Sequence, residues 1–113
     1  MRVRFTAPAR RELFLEVAQY SEIEPGLGAR FAEAIEEATT RAIALPLAGS
    51  RASKNTRRVF VKRFPFSIVY RADEDGIVVF AVAHSSRRPD YWLSRVQEPA
   101  VPYGVEGGIE SRP

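Results

Sequence analysis

The chain contains no cysteine, and this absence excludes a disulfide framework, catalysis by a thiolate and zinc ligation by cysteine. It has a single histidine, and no His, Asp or Glu residues stand at the spacing of a metal site, so we expect neither a metal nor another cofactor. No apolar run approaches the roughly 18 residues that a membrane span needs. The first residues alternate in polarity and lack the apolar block of a signal peptide. These absences predict a soluble, cytoplasmic protein with no membrane partner.

The size and composition of the chain predict one folded domain. Its 113 residues have room for a single hydrophobic core. Hydrophobic residues make up 45% of the chain, a share typical of globular proteins, and this excludes disorder throughout. The last residues are rich in proline and glycine and offer few core candidates. We therefore expect a domain over residues 1–96 and a flexible tail over residues 97–113.

The charged residues are unevenly distributed. The formal net charge is only +3, yet residues 51–71 hold seven basic side chains and no acidic one, while glutamates crowd the first third. Most of the basic residues are arginine, whose planar guanidinium suits contacts with phosphates or carboxylates. The clustering predicts a basic protein with one positive side that binds an anionic partner. The alternative is a solvated surface whose arginine excess reflects the codon usage of a GC-rich genome.

Two amphipathic helices are predicted after a short first strand at residues 2–6. Thr6 can cap the first helix, and apolar residues recur at helical spacing from Leu13 to Tyr20, opposite Glu12. A break at Glu24-Pro25-Gly26 separates this stripe from a second one that runs from Leu27 to Leu45. Because a short loop joins them, the two helices should form an antiparallel hairpin.

The second half of the chain changes to the period of two that is typical of strands. Residues 47–56 show little periodicity and are predicted to be a loop, and residues 73–76 form a turn between antiparallel strands. Pro89 opens a short helical segment that runs through Arg95. Three strands are predicted, at Arg58–Lys62, Ser67–Ala72 and Ile77–His84, the last of them apolar on both faces and therefore central.

The predicted element order is β-α-α-β-β-β with a short C-terminal helical segment. A helical hairpin that packs on one face of a mainly antiparallel sheet buries the apolar side of both layers. We therefore expect the α+β class.

The densest group of reactive side chains follows the predicted central strand. His84 is the only side chain whose ordinary pKa lies near neutrality, so it could exchange protons with a substrate, or it could simply close the strand. Arg87 could hold a phosphate or pair with a carboxylate. Tyr91 could stack on a base or pack on the sheet, whereas packing is favoured for Trp92. No Gly-x-Ser-x-Gly motif surrounds Ser85, which argues against a serine hydrolase.

The basic side chains on neighbouring predicted strands could converge on the same surface as this group. They are the candidates for binding nucleic acid or a protein target: Arg57, Arg58, Lys62, Arg63, Arg71, Arg87 and Arg88.

Three segments of the second half resemble the RelE/ParE superfamily of plasmid-stabilisation toxins. They are residues 61–70 (VKRFPFSIVY), 77–84 (IVVFAVAH) and 87–92 (RRPDYW), and the resemblance extends over about residues 2–95. It implies the toxin of a type II toxin–antitoxin system, which inhibits growth and is held inactive by a cognate antitoxin. It also implies that operator DNA is bound only through the antitoxin.

The superfamily divides by target, and the resemblance favours one branch. RelE-like members cut mRNA on the ribosome, and this branch would make His84, Arg87 and Tyr91 catalytic. ParE-like members inhibit DNA gyrase without a nuclease site. Ser67 stands where RelE-like members often carry arginine, so the resemblance favours a ParE-like protein that is not an enzyme. The third possibility is a non-toxic homologue that only binds an acidic peptide.

Overall fold

The computed structural model describes residues 2–97, which form two helices against a five-stranded sheet. The elements in chain order are β1 (Arg2–Phe5), α1 (Ala7–Ile23), α2 (Leu27–Ala44), β2 (Ser50–Ser53), β3 (Thr56–Phe60), β4 (Phe66–Asp73), β5 (Gly76–His84) and α3 (Leu93–Gln97). The strand order across the sheet is β1-β5-β4-β3-β2. Only the β1–β5 pair is parallel, so the mainly antiparallel α+β fold predicted from the sequence is confirmed.

The predicted loop at residues 47–56 is wrong in part, because it contains β2 and the first residue of β3. Strand β2 pairs with β3 only, and the register shifts between Arg51 and Ser53. It is short, polar and at the sheet edge, so it lacks the apolar alternation that reveals a half-buried strand. The sheet thus has one more strand than the sequence pattern indicated.

The helical hairpin begins and turns where the sequence indicated. The Thr6 hydroxyl accepts a hydrogen bond from the amide of Ala9 at 3.4 Å and caps α1. Gly26 has a φ of 85° at the turn between the helices, a conformation that favours glycine. In α2, Phe31 and Ile35 are buried on the side that faces the sheet.

Two apolar clusters cover the two faces of the sheet. The larger one joins the helices to the sheet, and Val79 and Val82 of β5 belong to it. The smaller one, on the opposite face, contains Ala81 and the almost fully buried Trp92. A bulge leaves Phe80 without an opposite residue on β4. The predictions that β5 is covered on both faces and that Trp92 packs on the sheet are therefore confirmed.

Two predicted boundaries differ from the structure. The strand predicted at Arg58–Lys62 is β3, which ends at Phe60 because the chain turns back over residues 61–65, where Arg63 has a φ of 72°. The helical segment predicted from Pro89 to Arg95 begins later, at Leu93, because the preceding residues form successive hydrogen-bonded turns.

None of the helices within residues 2–97 combines the length and the apolar content that crossing a membrane would require. The predicted flexible tail lies outside the described residues, apart from residue 97 at the end of α3.

Candidate functional site

The segment that follows β5 carries the predicted catalytic candidates and is held in place by its own hydrogen bonds. His84 ends β5, and its Nδ1 atom accepts a hydrogen bond from the amide of Ser86 at 2.9 Å. Its ring meets the ring of Phe66 edge-on, with centroids 4.9 Å apart. Because Nδ1 is already an acceptor, the neutral imidazole carries its proton on Nε2. His84 therefore closes the strand and offers only Nε2 to a ligand.

Tyr91 is engaged by a carboxylate from the other end of the chain. Its hydroxyl donates to Glu12 Oε2 at 2.7 Å, and Arg95 binds the same carboxylate through two nitrogens, at 3.0 and 2.9 Å. The side chains of Glu12 and Arg95 are only 17% and 21% exposed. We call Glu12, Tyr91 and Arg95 the Glu12 network. It ties α1 to the segment around α3.

The Glu12 network also completes the hydrogen bonding of β5 beyond the end of β1. Pairing of β1 with β5 stops at Val79, which leaves the following backbone groups of β5 without a strand neighbour on that side. Glu12 accepts a hydrogen bond from the amide of Val82 at 3.0 Å, and Arg95 donates to the carbonyl of Phe80 at 3.0 Å. Side chains thereby replace the missing strand and satisfy buried backbone groups.

Burial raises the pKa of Tyr91, and the hydrogen bond to Glu12 raises it further. The negative charge of Glu12 disfavours a phenolate beside it, so the hydroxyl keeps its proton. A phenol held in this way is a poor proton acceptor at neutral pH. Its role in the structure is that of a hydrogen-bond donor.

The structure brings only some of the predicted site residues together. The guanidinium of Arg87 lies 3.7 Å from the centroid of the Tyr91 ring, and Arg88 forms an exposed ion pair of 3.8 Å with Asp90. Lys62 lies instead beside α2, where its Nζ atom is 3.5 Å from Glu37. The Arg41 guanidinium and Lys62 lower the pKa of Glu37, with the hydrogen bond from Arg41 as the largest cause.

A groove of about 420 Å³ separates α1 from the segment after β5. Three apolar side chains of α1 are more than half exposed: Phe14 by 62%, Leu15 by 56% and Ile23 by 71%. Leu15 and Ile23 line the groove, and His84 and Arg87 form part of its other wall. Apolar side chains exposed along a groove make it a candidate for binding a protein partner.

A second groove, of about 240 Å³, lies at the opposite edge of the sheet, near β2. Two of the predicted basic residues, Arg57 and Arg71, line it. Arg58 points to the other face of the sheet, because it is opposite Val69 whereas Arg57 is opposite Tyr70. Arg63 is exposed in the turn after β3. The seven predicted basic residues thus occupy several surfaces.

Sequence reasoning placed Glu12 on the solvated face of α1, and this was wrong. Its partners Tyr91 and Arg95 lie 79 and 83 residues away along the chain, so no local pattern could reveal the network. Ser67, which stands where RelE-like members often carry arginine, lies on β4 and is 7% exposed. Within residues 2–97, no group of three or more potential metal ligands is present.

Comparisons with known proteins give one family and one fold. The model of the family described as "ParE toxin of type II toxin-antitoxin system, parDE" matches residues 3–89. A solved chain described as "Chromosomal ParDE TA system from P. aeruginosa" superposes with a TM-score of 0.62 at 22% sequence identity. The superposition covers 74% of this chain and 95% of that chain, and at this identity it shows the fold alone. No curated protein sequence matches the chain.

Proposed function

Because the chain belongs to the ParE toxin family of type II toxin–antitoxin systems, we propose that it inhibits DNA gyrase by binding to it and that a cognate antitoxin neutralises it. The proposal includes binding of operator DNA through the antitoxin rather than directly. On this proposal the protein inhibits gyrase by binding and catalyses no reaction.

The contacts of the side chains that a ribonuclease would use support an inhibitor that acts by binding. The Tyr91 hydroxyl donates a hydrogen bond to Glu12, and the Arg87 guanidinium is stacked on the Tyr91 ring. The His84 Nδ1 atom accepts a hydrogen bond from the Ser86 amide, and Lys62 forms an ion pair with Glu37. A ribonuclease would need a proton acceptor and cations aimed at one phosphate. The Tyr91 hydroxyl is instead a donor to a carboxylate, and Lys62 pairs with Glu37 of α2.

The exposed flank of α1 supports the antitoxin part of the proposal. Leu15 and Ile23 are exposed apolar side chains along a groove that also contains Arg87. An antitoxin segment with apolar side chains on one face and acidic side chains on the other would match both features. Burial of each of these two side chains would contribute about 1.5–3 kcal/mol before the cost of ordering the segment.

Induction of the protein in growing cells tests the proposal directly. Supercoiled plasmid and total mRNA are examined after growth stops. Gyrase inhibition predicts relaxed or cleaved plasmid and intact transcripts, and co-expression of the antitoxin should restore growth. Cleaved transcripts with unchanged plasmid supercoiling would instead support a ribosome-dependent nuclease. Continued growth without the antitoxin would support a homologue that only binds an acidic peptide.

The variant His84→Gln separates the two toxin mechanisms further. Because His84 is the only histidine, a nuclease that transfers protons through it should lose about 100-fold or more of its cleavage rate. Under the gyrase proposal, growth arrest by His84→Gln should match that of the parent chain at equal protein levels.

A further inference from the structure

The groove beside β2 is lined by four cationic side chains and no acidic one. Arg51 comes from β2, Lys54 from the β2–β3 turn, Arg57 from β3 and Arg71 from β4. Two of them, Arg51 and Lys54, are exposed. We call this surface the four-cation groove. It lies at the opposite edge of the sheet from β1, where α1 and the Glu12 network complete β5.

Among residues 2–97, none of the four cations forms an ion pair. The ion pairs of the described chain use six other cations: Arg4, Arg30, Arg41, Lys62, Arg88 and Arg95. Of the ten lysines and arginines within residues 2–97 that form no ion pair, four therefore line this one groove. Such a groove concentrates positive potential and attracts anions.

Three of the four cations are held in position by contacts that leave donors free. Arg57 donates one guanidinium nitrogen to the Gly49 carbonyl at 2.9 Å, and Arg51 donates one to the Lys54 carbonyl at 3.0 Å. The Arg71 guanidinium lies 5.0 Å from the centroid of the Phe80 ring. Each guanidinium has five N–H donors, so an anion can bind without displacing these contacts. Fixed side chains also lose little conformational entropy on binding.

We propose that the four-cation groove binds the phosphate backbone of DNA. This inference rests on the proposed function. The four-cation groove would hold the DNA on which gyrase acts, so that the toxin contacts both the enzyme and its substrate. Separate cations on three strands and a turn suit a row of phosphates, each of which takes its own guanidinium or ammonium partner.

An acidic protein segment is the other anion that could enter the groove, and the sheet edge argues against it. An extended peptide would bind by adding a strand to β2. That strand has only four residues, and its register shifts between Arg51 and Ser53, so it offers a short and irregular row of backbone groups. The charged side chains, rather than the strand edge, are the feature available for recognition.

Fluorescence anisotropy with a labelled 20-base-pair duplex tests the proposal on the full chain, without gyrase. Four phosphate contacts predict that affinity falls about 150-fold between 50 and 200 mM salt. The variant Arg51→Gln/Lys54→Gln keeps two contacts and should lose only about 12-fold over the same range. The matched control, Arg10→Gln/Arg11→Gln, removes two exposed charges from α1 and should keep the parent's salt dependence.

Equal salt dependence for the two double variants would overturn the proposal, and so would binding that is insensitive to salt. If the double variant fails to fold, Lys54→Gln alone should lower the slope of log Kd against log salt by about 1. A poly-glutamate peptide that competes more strongly than duplex DNA would assign the groove to an acidic protein instead.

The gyrase part is measured separately, as binding of the toxin to gyrase in the absence of DNA. If the toxin binds gyrase but the groove variants keep the parent's salt dependence of DNA affinity, only the proposal that the groove binds DNA is refuted. DNA binding through the groove without any gyrase binding would refute the proposed function alone.

Discussion

At the scale of single residues, the Glu12 side chain forms hydrogen bonds with Val82, Tyr91 and Arg95, which lie 70, 79 and 83 residues away along the chain. We predict that Glu12→Gln lowers the free energy of unfolding by about 2–3 kcal/mol, because it leaves the Arg95 guanidinium without its charged partner in a mostly buried position. Urea unfolding followed by Trp92 fluorescence measures the change.

Two further variants test whether the loss of stability comes from the Glu12 network or from replacing any glutamate by glutamine. Glu33→Gln makes the same chemical change at an exposed position of α2 and should cost less than about 0.5 kcal/mol. Adding Arg95→Met to Glu12→Gln should recover part of the loss, since the unpaired cation is removed. A double variant as unstable as the sum of the two single variants would show that the network contributes no coupling energy.

Tyr91 should make stability sensitive to alkaline pH. Burial and the hydrogen bond to Glu12 raise the pKa of Tyr91 above its ordinary value near 10. The folded state therefore holds the phenolic proton more tightly than the unfolded state does. This contribution is complete below pH 10 and is lost as the pH rises through the folded pKa.

Urea unfolding at pH 8 to 11 should show this loss, and Tyr91→Phe should make the decline shallower. Some decline should remain, because burial also raises the pKa of Tyr20 and of Tyr70. Identical pH profiles for Tyr91→Phe and the parent chain would contradict the assignment.

The residue scale also shows where sequence reasoning stops. His84, Arg87 and Tyr91 could be selected because they follow a strand and are chemically versatile. Their partners could not be selected, because Glu12 approaches from a helix at the other end of the chain. A glutamate on an amphipathic helix has the same local pattern whether it faces water or a buried arginine.

At the scale of elements, Gly28 sets the distance between α1 and α2. A Cβ atom at this position would lie 2.0 Å from Ser21 Oγ and 2.4 Å from the carbonyl oxygen of Val17. Gly→Ala in an open helix position usually stabilises a helix by about 1 kcal/mol. We predict that Gly28→Ala instead destabilises the protein by about 2 kcal/mol or more, because the helices must separate.

The exposed neighbour Ala29 supplies the matched control for this prediction. Ala29→Gly should cost about 1 kcal/mol, which is the ordinary difference in helix propensity. Thermal unfolding followed by circular dichroism compares the two variants. An increase in the melting temperature of Gly28→Ala would mean that the helices are not in close contact there.

Periodicity predicted the elements that bury a regular apolar face and missed those that do not. The helices and strands β4 and β5 pack against the core, so their spacing appears in the sequence. Strand β2 buries no regular stripe. The α3 segment starts late because hydrogen-bonded turns, which have no apolar period, come first.

At the scale of the whole molecule, the layered fold could be predicted, but the strand order could not. Strand β1 lies parallel to β5, from which more than seventy residues separate it, and only the tertiary structure selects this pairing. The resulting order puts the two grooves at different edges: the apolar flank of α1 near β5, and the four-cation groove near β2. One small domain thus presents two chemically distinct surfaces at different edges of its sheet.

This separation predicts how the proposed antitoxin should bind. The chain's net charge of +3 and its concentration of basic residues should accelerate encounter with an acidic antitoxin, whereas contacts with Leu15 and Ile23 should slow its release. Raising the salt from 50 to 500 mM should therefore lower the association rate constant about tenfold or more and change the dissociation rate constant little. Stopped-flow mixing with the antitoxin measures both.

Leu15→Ser should have the reverse effect, with faster dissociation and an unchanged salt dependence. An association rate that ignores salt would mean that the basic residues do not steer the antitoxin.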